Sequence, residues 1–256
     1  MKRIHIVGIS PRTGTTLLAE AMRISFDINQ YEQHERPLHR LKFGSGIYLT
    51  KRPKDIHFLK MRLQLDPRLT IICMVRDPRD VIVSKHGKHP DEFYANLGNW
   101  KHRYSILKSL SGHPRVIQVK YEDFTRDPDT VQVMLQQKIE FLSEKKRFSR
   151  FHEIKTVSIE AQKALKGVRP IDQKSIGVWK SHPDRIKDQI SEFGSISDSL
   201  MELGYEQDAR WEDDLGLSGK PGKRAREQVK IIDRYFKAPS AALVAGLSYR
   251  LGVNLR

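Results

Sequence analysis

The run Arg3-Ile4-His5-Ile6-Val7-Gly8-Ile9 is rich in β-branched residues, breaks at Ser10-Pro11, and gives way at Thr15 to apolar side chains in helical period at Leu17, Leu18, Ala21 and Met22. This strand, tight loop and helix constrains the fold more than any other segment. A continuously apolar strand that feeds straight into a helix is the opening unit of a parallel sheet covered by helices. The theme returns at Leu69-Thr70-Ile71-Ile72-Cys73-Met74-Val75, where Asp77-Pro78 supplies an N-cap and a first-turn proline. Val116 to Tyr121 predicts a further strand. Asp127-Pro128 then opens a helix carrying Val131, Met134, Leu135 and Leu142. Between the second and third of these strands, Phe93, Tyr94, Leu97, Trp100, Tyr104 and Leu107 predict a long helix over Asp91 to Leu107. The expected fold class is α/β, a doubly wound parallel sheet flanked by helices.

Two hundred and fifty-six residues suffice for one such domain with an appendage. The chain changes character at Glu206, where an acidic cluster (Glu212, Asp213, Asp214) precedes glycines and the basic run Lys220, Lys223, Arg224 and Arg226. A domain over 1–205 and a linker with a peripheral basic helical tail over 206–256 are expected. The lone Cys73 excludes a disulfide framework and a cysteine-based zinc cluster. A formal charge of +15 points to an anionic partner or substrate. No apolar stretch approaches a membrane span. Ala241 to Leu255 is interrupted by Gly246, Arg250 and Gly252, so the tail at most contacts a membrane peripherally. The first nine residues lack a cleavage pattern and no Asn-x-Ser/Thr sequon occurs, so a cytoplasmic location is expected.

The loop Ser10-Pro11-Arg12-Thr13-Gly14-Thr15-Thr16 lies where loop amides and a helix N-terminus converge on an anion. In the triphosphatase pattern GxxxxGK[ST] a lysine follows the second glycine. Here Thr15 takes that place and Ile9 takes the place of the first glycine, so ATP or GTP hydrolysis is disfavoured. The cation sits two residues before Gly14, at Arg12.

Extended to Leu18, this loop resembles the P-loop-like 5′-phosphosulfate loop of the sulfotransferases that use 3′-phosphoadenosine 5′-phosphosulfate (PAPS), of a bacterial or carbohydrate-directed type. Three further stretches resemble the family in the same order. Arg76-Asp77-Pro78-Arg79-Asp80-Val81-Ile82-Val83-Ser84 is similar to its 3′-phosphate motif, Tyr121-Glu122-Asp123-Phe124 to a strand end whose tyrosine lies near the adenine, and Lys174-Ser175-Ile176-Gly177-Val178-Trp179-Lys180 to a late segment that closes over the 3′-phosphate. The resemblance spans Ile4 to Tyr205. It implies PAPS as donor and PAP as product without a metal, with Arg12, Thr13, Gly14, Thr15 and Thr16 around the 5′-phosphate, Arg76 and Ser84 on the 3′-phosphate, Tyr121 by the adenine, and Lys174, Gly177 and Trp179 closing the site.

Bland alternatives stand beside these assignments. Asp77 and Asp80 can pair with Arg79 and Arg76 at a solvated helix start, Trp179 can be ordinary packing, and the basic stretches 36–60 and 145–174 can be cleft walls or solvated faces. The chain also departs from the family pattern. Leu17 stands where small-phenol enzymes place an adenine-stacking tryptophan, and no histidine occupies their base position, since 69–75 is strand.

Sulfuryl transfer needs in-line attack by the acceptor oxygen and stabilisation of charge on the departing phosphate, a task for Arg12 and the loop amides. A hydroxyl acceptor of a glycan, glycolipid or small metabolite needs a positioned base. The segment after the first helix offers Glu35 first, then Glu32 and His34, and in relatives a Glu of this segment looks like the base. Glu35 paired to Arg36 on a solvated loop is the alternative. His34, His39 and His57 are too irregularly spaced to suggest a metal site. Two rival functions remain: a nucleotide-dependent kinase or phosphotransferase of related fold, and a non-catalytic polyanion-binding protein. No specific nucleic-acid partner is expected, and oligomeric state is not readable.

Overall fold

The computed structural model describes residues 1–85, 91–153, 157, 159–165 and 167–216. Its strands are β1 (Lys2–Gly8), β2 (Gln30–Tyr31), β3 (Ile47–Lys51), β4 (Leu69–Val75) and β5 (Val116–Lys120). Its α-helices are α1 (Thr15–Ser25), α2 (Leu59–Leu65), α3 (Pro78–Ile82), α4 (Leu97–Lys108), α5 (Tyr121–Arg126), α6 (Pro128–Lys138), α7 (Ile159–Leu165), α8 (Pro183–Phe193), α9 (Ser197–Glu202) and α10 (Arg210–Asp214). Short 3₁₀ turns occupy Pro53–Phe58, Phe148–Glu153 and Val178–Ser181.

The strands form one wholly parallel sheet in the order β2-β3-β1-β4-β5. Burial follows that order. All seven residues of β4 are buried, whereas the edge strand β5 leaves Gln118 exposed. Successive side chains point to opposite faces. Ile4, Ile6, Ile72 and Met74 therefore pack with Leu18 and Met22 of α1 and Leu135 of α6, while Val7, Ile71, Cys73 and Val75 pack with Leu63 of α2 and with Trp100 and Leu107 of α4. The sheet is thus covered on both sides, as the apolar strands predict.

Winding runs from β1 outward to β2 and β3, then reverses to β4 and β5. The reversal lies between β1 and β4, so the loops leaving these two strands diverge there and frame a crevice at their carboxyl ends. Ile9 N–H donates to the Met74 carbonyl, tying the two loops at their roots.

Three elements differ from expectation. The helix over 91–107 starts at Leu97, because the Asn96 side chain accepts from the Asn99 amide and caps it there; Phe93 instead bridges Lys85 in an antiparallel contact. β5 ends at Lys120, and Tyr121 is the first residue of α5 rather than a strand end. Finally, α3 stops at Ile82, within the β-branched run Val81-Ile82-Val83, so Ser84, which eight residues beyond Arg76 would stand two turns into a continuous helix, lies just past its end. The Asp77 and Asp127 caps do form, accepting from the Arg79 and Thr130 amides.

Residues 206–216 pack onto the α3 region through Glu206, bonded to Arg79, and Trp211, which is buried. Residues 217–256 lie outside the described residues, including the basic run from Lys220 and the stretch Ala241 to Leu255. Among the described residues no helix is long and apolar enough to cross a membrane.

Candidate active site

The β1–α1 loop is built to leave donors unused. Gly14 caps α1 with φ 85°, no side chain caps the helix, and no acidic residue stands in its first turn. The first amides of α1 therefore lack a side-chain partner, an arrangement that favours an anion. Only glycine fits at the cap: a Cβ on Gly14 would lie 2.5 Å from the Tyr121 ring. Arg12 has φ 69° and is the one non-glycine residue in the left-handed region among the described residues. That conformation costs about 1–2 kcal/mol, and its effect is to turn the loop so that the exposed Arg12 side chain leaves it with no hydrogen-bond or ion-pair partner among the described residues. Thr13 points the other way: it is buried and donates to the Ser10 carbonyl at 2.9 Å.

Arg76 leaves the end of β4 and comes to the same place. Its Nη1 donates to the Arg12 carbonyl at 2.9 Å, its Nη2 to the Ser175 carbonyl, and its guanidinium stacks on Tyr121, 4.6 Å from the ring centroid. Its buried Nε has no partner. These groups line a cleft of about 320 Å³ that gathers Arg12, Gly14, Thr15, Thr16, Arg76 and Tyr121 with Glu35 and Ser175. The apolar share of the wall comes from Leu17, Phe151, Leu165 and Ile171.

The three residues considered for the base part company. Glu35 is exposed, lines the cleft with Arg12, and has no partner among the described residues. Arg36 pairs with Glu32 at 3.5 Å instead. Glu32 is taken up by Lys42 at 2.6 Å and the Tyr48 hydroxyl at 3.0 Å. Burial raises its pKa, but these hydrogen bonds and Arg36 outweigh it and hold the carboxyl below its ordinary range. Neither Glu32 nor the exposed His34 lines the cleft.

The 3′-phosphate motif is only partly assembled around the cleft. Ser84 does not line it, and its hydroxyl donates to the Asp80 carbonyl at 3.0 Å. Arg79 is clamped by Asp77 and Glu206 between the rings of Trp179, at 4.1 Å, and Trp211, at 4.8 Å. Gly177 and Trp179 donate their amides to Asp80, and Lys174 is exposed with its amide on Asp172. Asp77 does pair with Arg79 and Trp179 is packed, but the pair is buried and not the solvated helix start of the bland alternative, and Asp80 binds backbone and not Arg76.

Sequence reasoning did not single out Ser175, Phe151 or Ile171, which reach the cleft from segments with weak periodicity. It also passed over Glu122 as a strut. This buried carboxylate accepts from the Asp77 amide at 2.9 Å and from the Tyr205 hydroxyl at 2.8 Å, joining the ends of β4 and β5, and burial pushes its pKa up. Among the described residues no group of three or more His, Cys, Asp or Glu is placed to hold a metal ion.

Three solved structures align with this chain. Mouse sulfotransferase SULT7A1 complexed with PAP is 15% identical, with TM-score 0.47 over 80% of this chain and 88% of that one. Sulfotransferase STF1 from Mycobacterium tuberculosis H37Rv is 11% identical, with TM-score 0.41 over 72% and 76% of the two chains. Retinol dehydratase in complex with androsterone and inactive cofactor PAP is 13% identical, with TM-score 0.44 over 74% and 81%. No curated protein matches in sequence. The profile of the sulfotransferase domain, however, matches residues 2–192, which takes in the loop, the crevice and all five strands, and the chain accordingly belongs to the sulfotransferase domain family.

Proposed function

We propose that this sulfotransferase takes its sulfuryl group from PAPS and passes it to a hydroxyl of a glycan, glycolipid or small metabolite. The observation that carries the reading is that one cleft, above a helix N-terminus without a side-chain cap, holds a cation, Arg12, and a carboxylate, Glu35, that have no partner among the described residues. An adenine nucleotide with phosphates at both ends fits such a cleft: amides of the Gly14–Thr16 turn face one anion, and Arg76 keeps a buried, unpartnered Nε beside it. Leu17, Phe151 and Ile171 offer apolar contact for the base beside Tyr121, in place of a stacking tryptophan.

In the step itself the acceptor oxygen forms a bond to sulfur while the bond from sulfur to the 5′-phosphate oxygen breaks and PAP departs with the electron pair. Arg12 neutralises the charge growing on that oxygen. Glu35 accepts the acceptor's proton. Lys174, Gly177 and Trp179 belong to the segment that frames the 3′-phosphate side, with Ser84 at its margin. A cytoplasmic setting accompanies this reading, while the boundary expected after Tyr205 is set aside, because Glu206 and Trp211 pack onto the α3 region.

Calorimetric titration of the full chain with PAP and AMP tests it. PAP should bind at least about tenfold more tightly, since the second phosphate gains charge-assisted hydrogen bonds of roughly 1.5–3 kcal/mol. Equal affinity would overturn the donor assignment.

A further inference from the structure

Asp80 is 2% exposed and touches no part of the cleft, yet its carboxylate accepts from two amides 97 and 99 residues away: Oδ2 from Gly177 at 2.8 Å and Oδ1 from Trp179 at 2.9 Å. Gly177 has φ 73°, which turns the chain so that both amides face the same carboxylate. Two residues earlier, the Ser175 carbonyl receives Nη2 of Arg76, whose Nη1 holds the Arg12 carbonyl. An unbroken hydrogen-bonded path therefore runs from α3 through the Ser175–Trp179 strap and Arg76 to the phosphate loop. The far end of the strap is pinned by the same turn, since Arg79 stacks on Trp179. A buried carboxylate that binds only backbone amides has one geometric consequence, to fix where that backbone lies.

We propose that Asp80 is a positioning residue for the donor: by fixing the Ser175–Trp179 strap it holds Arg76 in the orientation that meets the nucleotide's second phosphate. The proposal rests on reading the cleft as the donor site. Arg76 touches the donor, and Asp80 acts through it.

The test compares the wild type with Asp80→Asn and Gly177→Ala, each as the full chain, by amide hydrogen exchange and by titration with PAP and AMP. Asparagine keeps the shape but puts an NH₂, which cannot accept, where one carboxylate oxygen stood, so one of the two amides loses its acceptor. Exchange at Gly177 and Trp179 should rise in Asp80→Asn, and the preference for PAP over AMP should fall about tenfold, the loss of one charge-assisted hydrogen bond. AMP affinity should stay within about twofold, the separation that a general loosening of the fold would not give. Gly177→Ala has open space for its methyl group but the wrong φ, so it strains the strap with Asp80 intact and should lower the preference in the same direction. It decides the matter if Asp80→Asn fails to fold. Unchanged exchange in Asp80→Asn, or an undiminished PAP preference in a folded variant, would overturn the proposal. A wild type that does not prefer PAP overturns the donor reading itself, and the wild-type titration separates that failure from the first two.

Discussion

The two turns that frame the crevice start from the same design and finish differently. Each follows a buried parallel strand and opens a helix, and each carries arginines and hydroxyls. In the β1–α1 loop the charge is left unspent: among the described residues Arg12 has no side-chain partner and the helix has no side-chain cap, and the backbone is strained to keep it so. In the β4–α3 turn almost everything is consumed. Arg79 is held by two carboxylates and two indoles, Asp80 by two amides, Ser84 by a carbonyl one turn back. Glu35 and Glu32 repeat the contrast three residues apart, the first unpartnered in the cleft and the second enclosed by Lys42, Arg36 and Tyr48. Ligand chemistry belongs to groups the fold leaves unsatisfied, because a side chain already paired must break those contacts before it can serve a substrate.

The hardest test of that contrast lies with the two glutamates. Glu35→Gln keeps shape and removes the proton acceptor, so turnover should fall by about 10²- to 10⁴-fold with PAP affinity unchanged. Glu32→Gln, measured in the same steady-state assay, should stay within about threefold of wild type. A severe loss in Glu32→Gln with an active Glu35→Gln would reverse the assignment and break the comparison at its root.

Arginine substitutions sharpen it along a second axis. Arg12→Ala should lower the single-turnover rate by about 10²- to 10³-fold, as expected for removing one charge-stabilising donor, and leave the melting temperature unmoved. Arg79→Ala leaves the buried Asp77 and the partly exposed Glu206 without their shared cation. Breaking such a pair costs about 3–5 kcal/mol, or on the order of 10 °C in a chain this size by scanning calorimetry. Should Arg12→Ala destabilise the fold and Arg79→Ala abolish only catalysis, the division of labour would be the opposite of the one drawn here.

The same division explains what could be read in the sequence. The parallel sheet was legible because β1 and β4 are buried on both faces and so are written as continuous apolar runs. The β1–α1 turn was legible because its geometry lies in local backbone, with glycine and threonine at fixed offsets from a strand. Arg76 and Arg79 stand three residues apart in one motif, and nothing local separates the one that enters the cleft from the one that braces it. Their fates are set by Ser175, Glu206 and Trp211, 99 to 132 residues distant. The antiparallel bridge from Lys85 to Phe93, which takes Phe93 out of the helical period of its segment, is likewise a contact that no periodicity announces. The acceptance of two distant amides by Asp80 has no sequence signature at all.

The smallest effect is the most specific to the paired state. Burial raises the pKa of Glu32, but hydrogen bonds from Lys42 and Tyr48 and the charge of Arg36 more than reverse this, so its folded-state pKa lies below its unfolded one. Stability from such a group is present above the unfolded carboxyl pKa of about 4.3 and is lost as pH falls through the folded value. Lys42 and Arg36 are themselves partly exposed, which screens the attraction and keeps the contribution near 0.2–1 kcal/mol, or about 1–3 °C. Glu32→Gln should therefore melt about 1–3 °C below wild type at pH 7, and the two curves should converge below about pH 4. If the Glu32→Gln difference persisted at pH 3, the stabilisation would come from shape and not charge, and Glu32 would no longer stand as the consumed counterpart of Glu35.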